Sequence, residues 1–140
     1  VTRGTVLAFD FGLKRTGVAQ GELELRVAHP LTVIRAETRE ARFSAIAALL
    51  AEWRPVLLLV GLPLHPDGAE HDMTRAARNF AASLAKRAAL PVVMHDERYT
   101  SVDAEDALRA RGASHAGRRH LDALAAQTLL QGYFDDTPAT

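Results

Sequence analysis

Three acidic side chains stand where an ionised carboxylate is costly. Asp10 closes TVLAFD, whose neighbours read as a buried strand; Glu97 follows the apolar run PVVMH; Asp122 heads the helical stripe Ala125, Ala126, Leu129. Burying an ionised carboxylate without a partner costs several kcal/mol or more, so each acid calls for a cation. Three carboxylates on separate elements form an oxygen donor set suited to a hard divalent ion, Mg²⁺ or Mn²⁺. Two such ions about 4 Å apart can activate a water and stabilise the leaving oxygen in phosphodiester cleavage. Taken singly, each acid also has a plainer reading. Asp10 can be a turn residue bonded to the Gly12 or Leu13 amide. Glu97 can pair with Arg98 or a helix terminus, and Asp122 with Arg118 or Arg119 on its own helix.

The elements that would position these acids are legible from pattern. Thr5–Phe11 and Gly17–Glu22 are β-rich runs joined by Gly-Leu-Lys-Arg-Thr, and Val27–Ile34 adds a third strand that Pro30 confines to an edge. Along the first strand Val6, Ala8 and Asp10 share one face and Leu7, Phe9 and Phe11 the other. In VVMHDER, Val93, His95 and Glu97 share a face. Phe43, Ile46, Ala47 and Leu50 mark a helix over 38–54, and Met73, Ala77, Phe80, Ala81 and Leu84 a second one. Between and after them, 55–61 and 91–95 read as buried strands of a parallel set. Thr100-Ser101-Val102-Asp103 has capping-box form and opens a helix ending near Gly112, and a last helix spans about 118–133.

The order βββ, α, β, α, β, α, α predicts an α/β fold of RNase H-like type: a central mixed five-stranded sheet, three antiparallel strands then two parallel ones, with helices on both faces. Ligands of parallel α/β sheets gather at the carboxyl ends of strands, so Asp10 and Glu97 are placed to converge. The length of 140 residues suits one domain, expected over 1–135 with a loose tail at 136–140.

Composition narrows the classes. There is no cysteine, which removes disulfides and thiolate metal sites. Seventeen basic and seventeen acidic residues cancel, so any nucleic-acid contact must come from local patches. The longest apolar run, 56–64, is far shorter than the ~20 residues of a membrane span, and VTRGTVLAF has no signal-peptide profile, so a cytoplasmic protein without membrane contact is expected.

With these residues in place, a resemblance can be stated. FDFGLKRTGVA, VGLPLHPDGAE, DERYTS and RRHLDALAAQTLLQGYFD occur in the order of the four motifs of the YqgF/RuvX family, the RuvC-like Holliday junction resolvases and pre-16S rRNA nucleases of bacteria. The chain departs from the family's usual residues at Gly21-Glu22, His65 and Tyr99, none of them one of the three acids. The resemblance implies that Asp10, Glu97 and Asp122 are metal-binding catalytic acids. It further implies Mg²⁺ or Mn²⁺ dependence, action on branched DNA or precursor rRNA, and a homodimer on four-way junctions.

Lys14, Arg15, Arg98, Thr100, Arg118 and Arg119 flank the acids and are the candidate substrate contacts, although solvated turn and strand-end charge explains the turn cations equally well. Arg75, Arg78, Lys86 and Arg87 fall mostly off the apolar stripe and read as a wet helix face. The six histidines lack zinc spacing; His95 is placed either to orient a water or simply to pack. Pro66-Asp67-Gly68 makes 62–70 a surface loop or a flap. Two other functions compete. A noncatalytic RNA-binding assembly factor would keep the fold without the activity. An actin-like or sugar-kinase-like ATP-binding domain would share the strand-D-x-G opening but need a second such domain.

Overall fold

The structure is a computed structural model that describes residues 3–96 and 115–137. Its elements are β1 (Thr5–Asp10), β2 (Arg15–Glu22), β3 (Ala28–Arg35), α1 (Arg39–Trp53), β4 (Leu57–Leu62), α2 (Asp72–Ala88), β5 (Val92–Asp96) and α3 (His115–Asp136). The strands form one sheet in the order β3-β2-β1-β4-β5. The β1/β2 and β2/β3 pairs are antiparallel, and the β1/β4 and β4/β5 pairs are parallel. This is the expected mixed sheet, with Pro30 on an edge strand, where its missing N–H breaks no inner ladder.

Strand alternation divides the core. Leu7, Phe9, Val18, Leu58 and Val60 face α1 and α2, where they meet Phe43, Ile46, Phe80 and Leu84. Val6, Ala8, Ala19 and Leu59 face α3 and meet Ala126, Leu129, Leu130 and Phe134. The small residues on the second face let α3 lie close to the sheet. A methyl group at Gly21 would stand 2.8 Å from the Phe134 ring and 2.7 Å from the Val27 carbonyl oxygen. Fully burying each large apolar side chain contributes roughly 1.5–3 kcal/mol, so both layers are needed to hold the sheet.

Helix α3 is also tied down by polar contacts. Gln127 Nε2 donates to the Ala28 carbonyl at 3.1 Å, and Gln131 both accepts from Ala28 N–H at 3.0 Å and donates to the Arg26 carbonyl at 3.2 Å. Arg26, held at φ 56°, donates to the Phe134 and Thr137 carbonyls and lies 5.4 Å above the Phe134 ring. These bonds satisfy carbonyls that the end of a helix leaves without partners. Replacing Arg26 by Ala is expected to lower stability by about 1–3 kcal/mol, measured by urea denaturation. An unchanged midpoint would show that the clasp contributes nothing.

One expectation changes. The segment 91–95 is not a buried strand: β5 is the second edge, none of its five residues is buried, and Val93 is 37% exposed. Its apolar content reflects one covered face rather than two. At the end of α3, Asp136 is helical and Thr137 is held by Arg26 and by the Tyr133 carbonyl. His95 packs: its Nε2 is 3.1 Å from Asp136 Oδ2, and its ring meets Tyr133 edge-on at 5.9 Å. The expected helix over 100–112 lies outside the described residues.

Candidate active site

The site begins with a tight turn. Between β1 and β2 the chain passes through Phe11-Gly12-Leu13-Lys14, and a methyl group at Gly12 would fall 2.3 Å from the Arg15 carbonyl oxygen. Gly12 is therefore required by closure of the turn itself, rather than by a ligand's approach to the backbone. The turn is pinned from outside: Ala36 N–H donates to the Lys14 carbonyl at 3.1 Å, and Arg42 donates to the Leu13 carbonyl at 2.6 Å. A turn fixed in this way presents Lys14 and Arg15 with little conformational freedom.

Beside that turn, β1 and α3 bring two of the three acids together. Asp10 pairs across the ladder with Gly17, and a methyl group at Gly17 would stand 2.0 Å from the Asp122 carbonyl oxygen. The backbone of α3 thus rests on the residue directly opposite Asp10. Both carboxylates line one cleft of about 380 Å³, together with Lys14 and Arg15 from the turn and with Pro63, His71 and Met73 beyond β4. The cleft lies at the carboxyl ends of β1 and β4, where parallel strands collect ligands.

Asp122 is the more constrained acid. Its Oδ2 is 3.2 Å from Arg15 Nε, yet this buried oxygen accepts no hydrogen bond, so the contact is an ion pair without hydrogen-bond alignment. Burial raises the pKa of Asp122 above its ordinary value of 3.8, against the smaller opposing pull of Arg15 and then Arg35. Across the pH interval from 3.8 up to that raised pKa, the folded protein holds a proton the unfolded chain has lost, so ionising Asp122 destabilises the fold as pH rises. In EDTA at pH 7, Asp122→Asn is therefore expected to raise the melting temperature, and the gain should vanish below pH 3.8, where both states are protonated. A lower melting temperature for this variant at pH 7 would contradict the assignment of burial as the dominant influence.

The remaining predicted residues are placed less fully. Glu97, Arg98 and Thr100 lie outside the described residues, and Arg118 and Arg119 belong to the first turns of α3. Among the described residues no group of three His, Asp or Glu side chains is arranged to hold a metal ion. The cleft wall formed by Pro63, His71 and Met73 was not singled out by sequence. His71 caps α2, accepting from Met73 N–H at 3.3 Å while its own N–H donates to Thr74 Oγ1 at 3.0 Å, and Thr74 in turn donates to the Pro63 carbonyl. The signal was His-x-x-Thr ahead of a helical stripe, a cap whose first residue is an unusual one. The preceding loop is closed by its own bonds, Gly68 N–H to the His65 carbonyl at 2.8 Å and His65 N–H to the Ala69 carbonyl at 2.9 Å.

This sheet order, with α1 and α2 on one face, α3 on the other and an acid-bearing cleft at the ends of β1 and β4, defines an RNase H-like protein. Residues 4–136 match the family described as RuvX, Holliday junction resolvase, and the chain belongs to that family. Relatives named "Putative pre-16S rRNA nuclease" include one from Thiobacillus denitrificans, 58% identical over 96% of this chain and 93% of its own length. Another, from Dechloromonas aromatica, is 57% identical over 94% and 91%. Among solved structures, Thermus thermophilus RuvC in complex with a Holliday junction substrate superposes with a TM-score of 0.56 at 21% identity, covering 94% of each chain. Fowlpox virus resolvase with Holliday junction DNA gives 0.56 at 10% identity, covering 94% and 97%. At these identities the structural likeness is one of fold. Among the described residues, no helix is long and apolar enough to cross a membrane.

Proposed function

We propose that this protein is a divalent-metal-dependent, structure-selective endonuclease, acting in the cytoplasm on branched DNA, on the 5′ end of pre-16S rRNA, or on both. The observation that supports this reading best is the placing of Asp10 and Asp122 in one cleft beside Lys14 and Arg15, with a buried Asp122 oxygen that accepts no hydrogen bond. A carboxylate oxygen in that state suits a metal ion better than it suits solvent. An all-oxygen, doubly acidic donor set selects Mg²⁺ or Mn²⁺ over softer ions. Glu97, next in the chain after the last residue of β5, is the proposed third ligand.

Bound there, one or two divalent ions supply Lewis-acid stabilisation of phosphoryl charge and a nucleophilic water at neutral pH. The chain's own residues do the rest. Asp10 and Asp122 would hold the site from two elements, one strand and one helix, that are packed against each other. Lys14 and Arg15 take the phosphate on the hairpin side, where the bonds from Ala36 and Arg42 keep the turn from retreating. Arg15 balances Asp122 in the absence of metal and faces the substrate phosphate in its presence. Arg98, Thr100, Arg118 and Arg119 are the further proposed backbone contacts. Cutting two strands of a four-way junction calls for two such sites, hence a homodimer on that substrate.

The test sets a four-way DNA junction beside a precursor rRNA fragment spanning the 16S 5′ end, with Mg²⁺ and Mn²⁺ titrated against each. Cleavage of at least one that rises with metal and stops in EDTA is expected. Binding of either without cleavage at any metal concentration would favour a noncatalytic assembly factor instead.

A further inference from the structure

On the opposite face of the sheet, the net-neutral chain gathers three arginines. Phe11, Phe80 and Phe43 stack as a ladder, with ring centroids 4.7 Å and 5.8 Å apart and nearly parallel planes. Arg42 lies over Phe11 at 5.0 Å, while Arg39 and Arg87 lie over Phe43 at 5.7 Å and 4.3 Å. Arg39 also donates to Ser83 Oγ at 2.7 Å. Among the described residues, none of these three guanidiniums has a carboxylate within ion-pair distance, whereas Arg75 and Arg78 on the same α2 are paired with Asp72 and Glu70.

Arg39 and Arg42 line one groove of about 230 Å³ between α1 and α2, Arg87 lines the neighbouring hollow on the other side of Phe43, and among the described residues nothing acidic lines either. Their places over the rings, with the bonds from Arg39 to Ser83 and from Arg42 to the Leu13 carbonyl, restrict these side chains before any ligand arrives. Arg forks fixed in this way match phosphate oxygens. The groove adjoins the cleft, with Phe11 lining both. Arg42 joins the two physically, since it stacks on Phe11 and holds the Leu13 carbonyl of the turn that carries Lys14 and Arg15.

From this we infer that the α1–α2 face is a second backbone-binding site, in which Arg42 and Arg39 in the groove and Arg87 beyond Phe43 take the phosphates of the strand that leads away from the cleft around the 11–14 turn. The ligand chemistry is a phosphodiester chain, and the inference rests on the nuclease reading for the strand's presence in the cleft. It revises the view of Arg87 as a merely wet residue. It also gives a neutral protein a local field for a polyanion.

The test uses the full chain with Ca²⁺ in place of Mg²⁺, and fluorescence anisotropy of two labelled probes: the four-way junction and the precursor rRNA fragment. Arg39→Gln/Arg87→Gln is expected to weaken binding to at least one probe by about tenfold and to flatten the dependence of log K on log salt by about two. These side chains are exposed, and circular dichroism verifies that the fold is kept. The same probe trimmed to its cleavage point should bind wild type and variant alike, because it no longer reaches the groove. Arg54→Gln, a charge removed from the far end of α1, serves as control. Equal affinity and salt slope for wild type and variant on the long probes, or an equal loss per charge from Arg54→Gln, would overturn the groove while leaving the nuclease reading intact. If the groove variant binds weakly but wild type, with Mg²⁺ or Mn²⁺ restored, cuts neither probe, the nuclease reading falls and the groove stands. No binding of either probe by wild type overturns both.

Discussion

Asp10→Asn and Asp122→Asn should each lower cleavage about 10³-fold or more while leaving nucleic-acid binding within a few-fold of wild type. The magnitude follows from the several kcal/mol of charge stabilisation that a properly held divalent ion supplies, at about 1.4 kcal/mol per decade of rate. Asparagine keeps the shape and one oxygen of each side chain but removes the charge that retains the ion. For Asp122 the two effects of the substitution run in opposite directions, which makes the prediction sharp. The metal-free variant is expected to gain stability because a half-buried ionised carboxylate is gone, and to lose activity because the proposed mechanism has that same carboxylate hold the metal. Wild type should also gain melting temperature on adding Mn²⁺, and Asp122→Asn should gain much less, since only a site that binds the ion in the folded state is stabilised by it. Single-turnover cleavage and thermal melts on the same preparations test both halves. Turnover retained in both variants would remove the mechanism.

The second large effect is expected from a residue without a side chain. Gly17→Ala would drive a methyl group to 2.0 Å from the Asp122 carbonyl oxygen, and that oxygen belongs to helix backbone that has no rotamer with which to yield. Either β2 bends or α3 lifts off the sheet. Overpacking of this kind costs about 1–3 kcal/mol. Lifting α3 also displaces Asp122 from Asp10, and a misplacement of about 1 Å at a catalytic group lowers rate about 10²-fold. Gly132→Ala is the natural comparison, because its added methyl would meet only His95 Nε2 at an ordinary 3.7 Å. Denaturation midpoints and cleavage rates should fall together for Gly17→Ala and stay near wild type for Gly132→Ala. A Gly17→Ala protein as stable and as active as wild type would show that α3 does not rest on β2 at this point.

Much of the fold was legible because it depends on local periodicity. The alternation along β1 assigns Asp10 to the face of Val6 and Ala8, and those residues do pack against α3. Helical spacing likewise turns Asp122 toward the sheet with Ala125 and Ala126, and the strand order follows from where the helices interrupt the strands. What sequence could not supply is adjacency between distant elements. Among the described residues Asp122 pairs with Arg15, more than a hundred residues earlier, a partner that reasoning along the helix did not offer. Gly17 reads as an ordinary strand glycine until α3 is laid across it. The edge position of β5 is equally invisible, since VVMH carries the same apolar signature whether one of its faces is covered or both. The arginines over the phenylalanine ladder come from both α1 and α2, so their convergence depends on the packing of the two helices.

The account requires that oxygens from β1 and from α3 close on one divalent ion. Crystals grown with Mn²⁺ and measured at the manganese absorption edge test this directly. An anomalous peak in contact with both the Asp10 and Asp122 carboxylates, with Arg15 turned from Asp122 toward the open cleft, is the predicted result. A peak that touches neither carboxylate, or a saturated crystal in which Arg15 still holds Asp122 and no manganese enters the cleft, would contradict it.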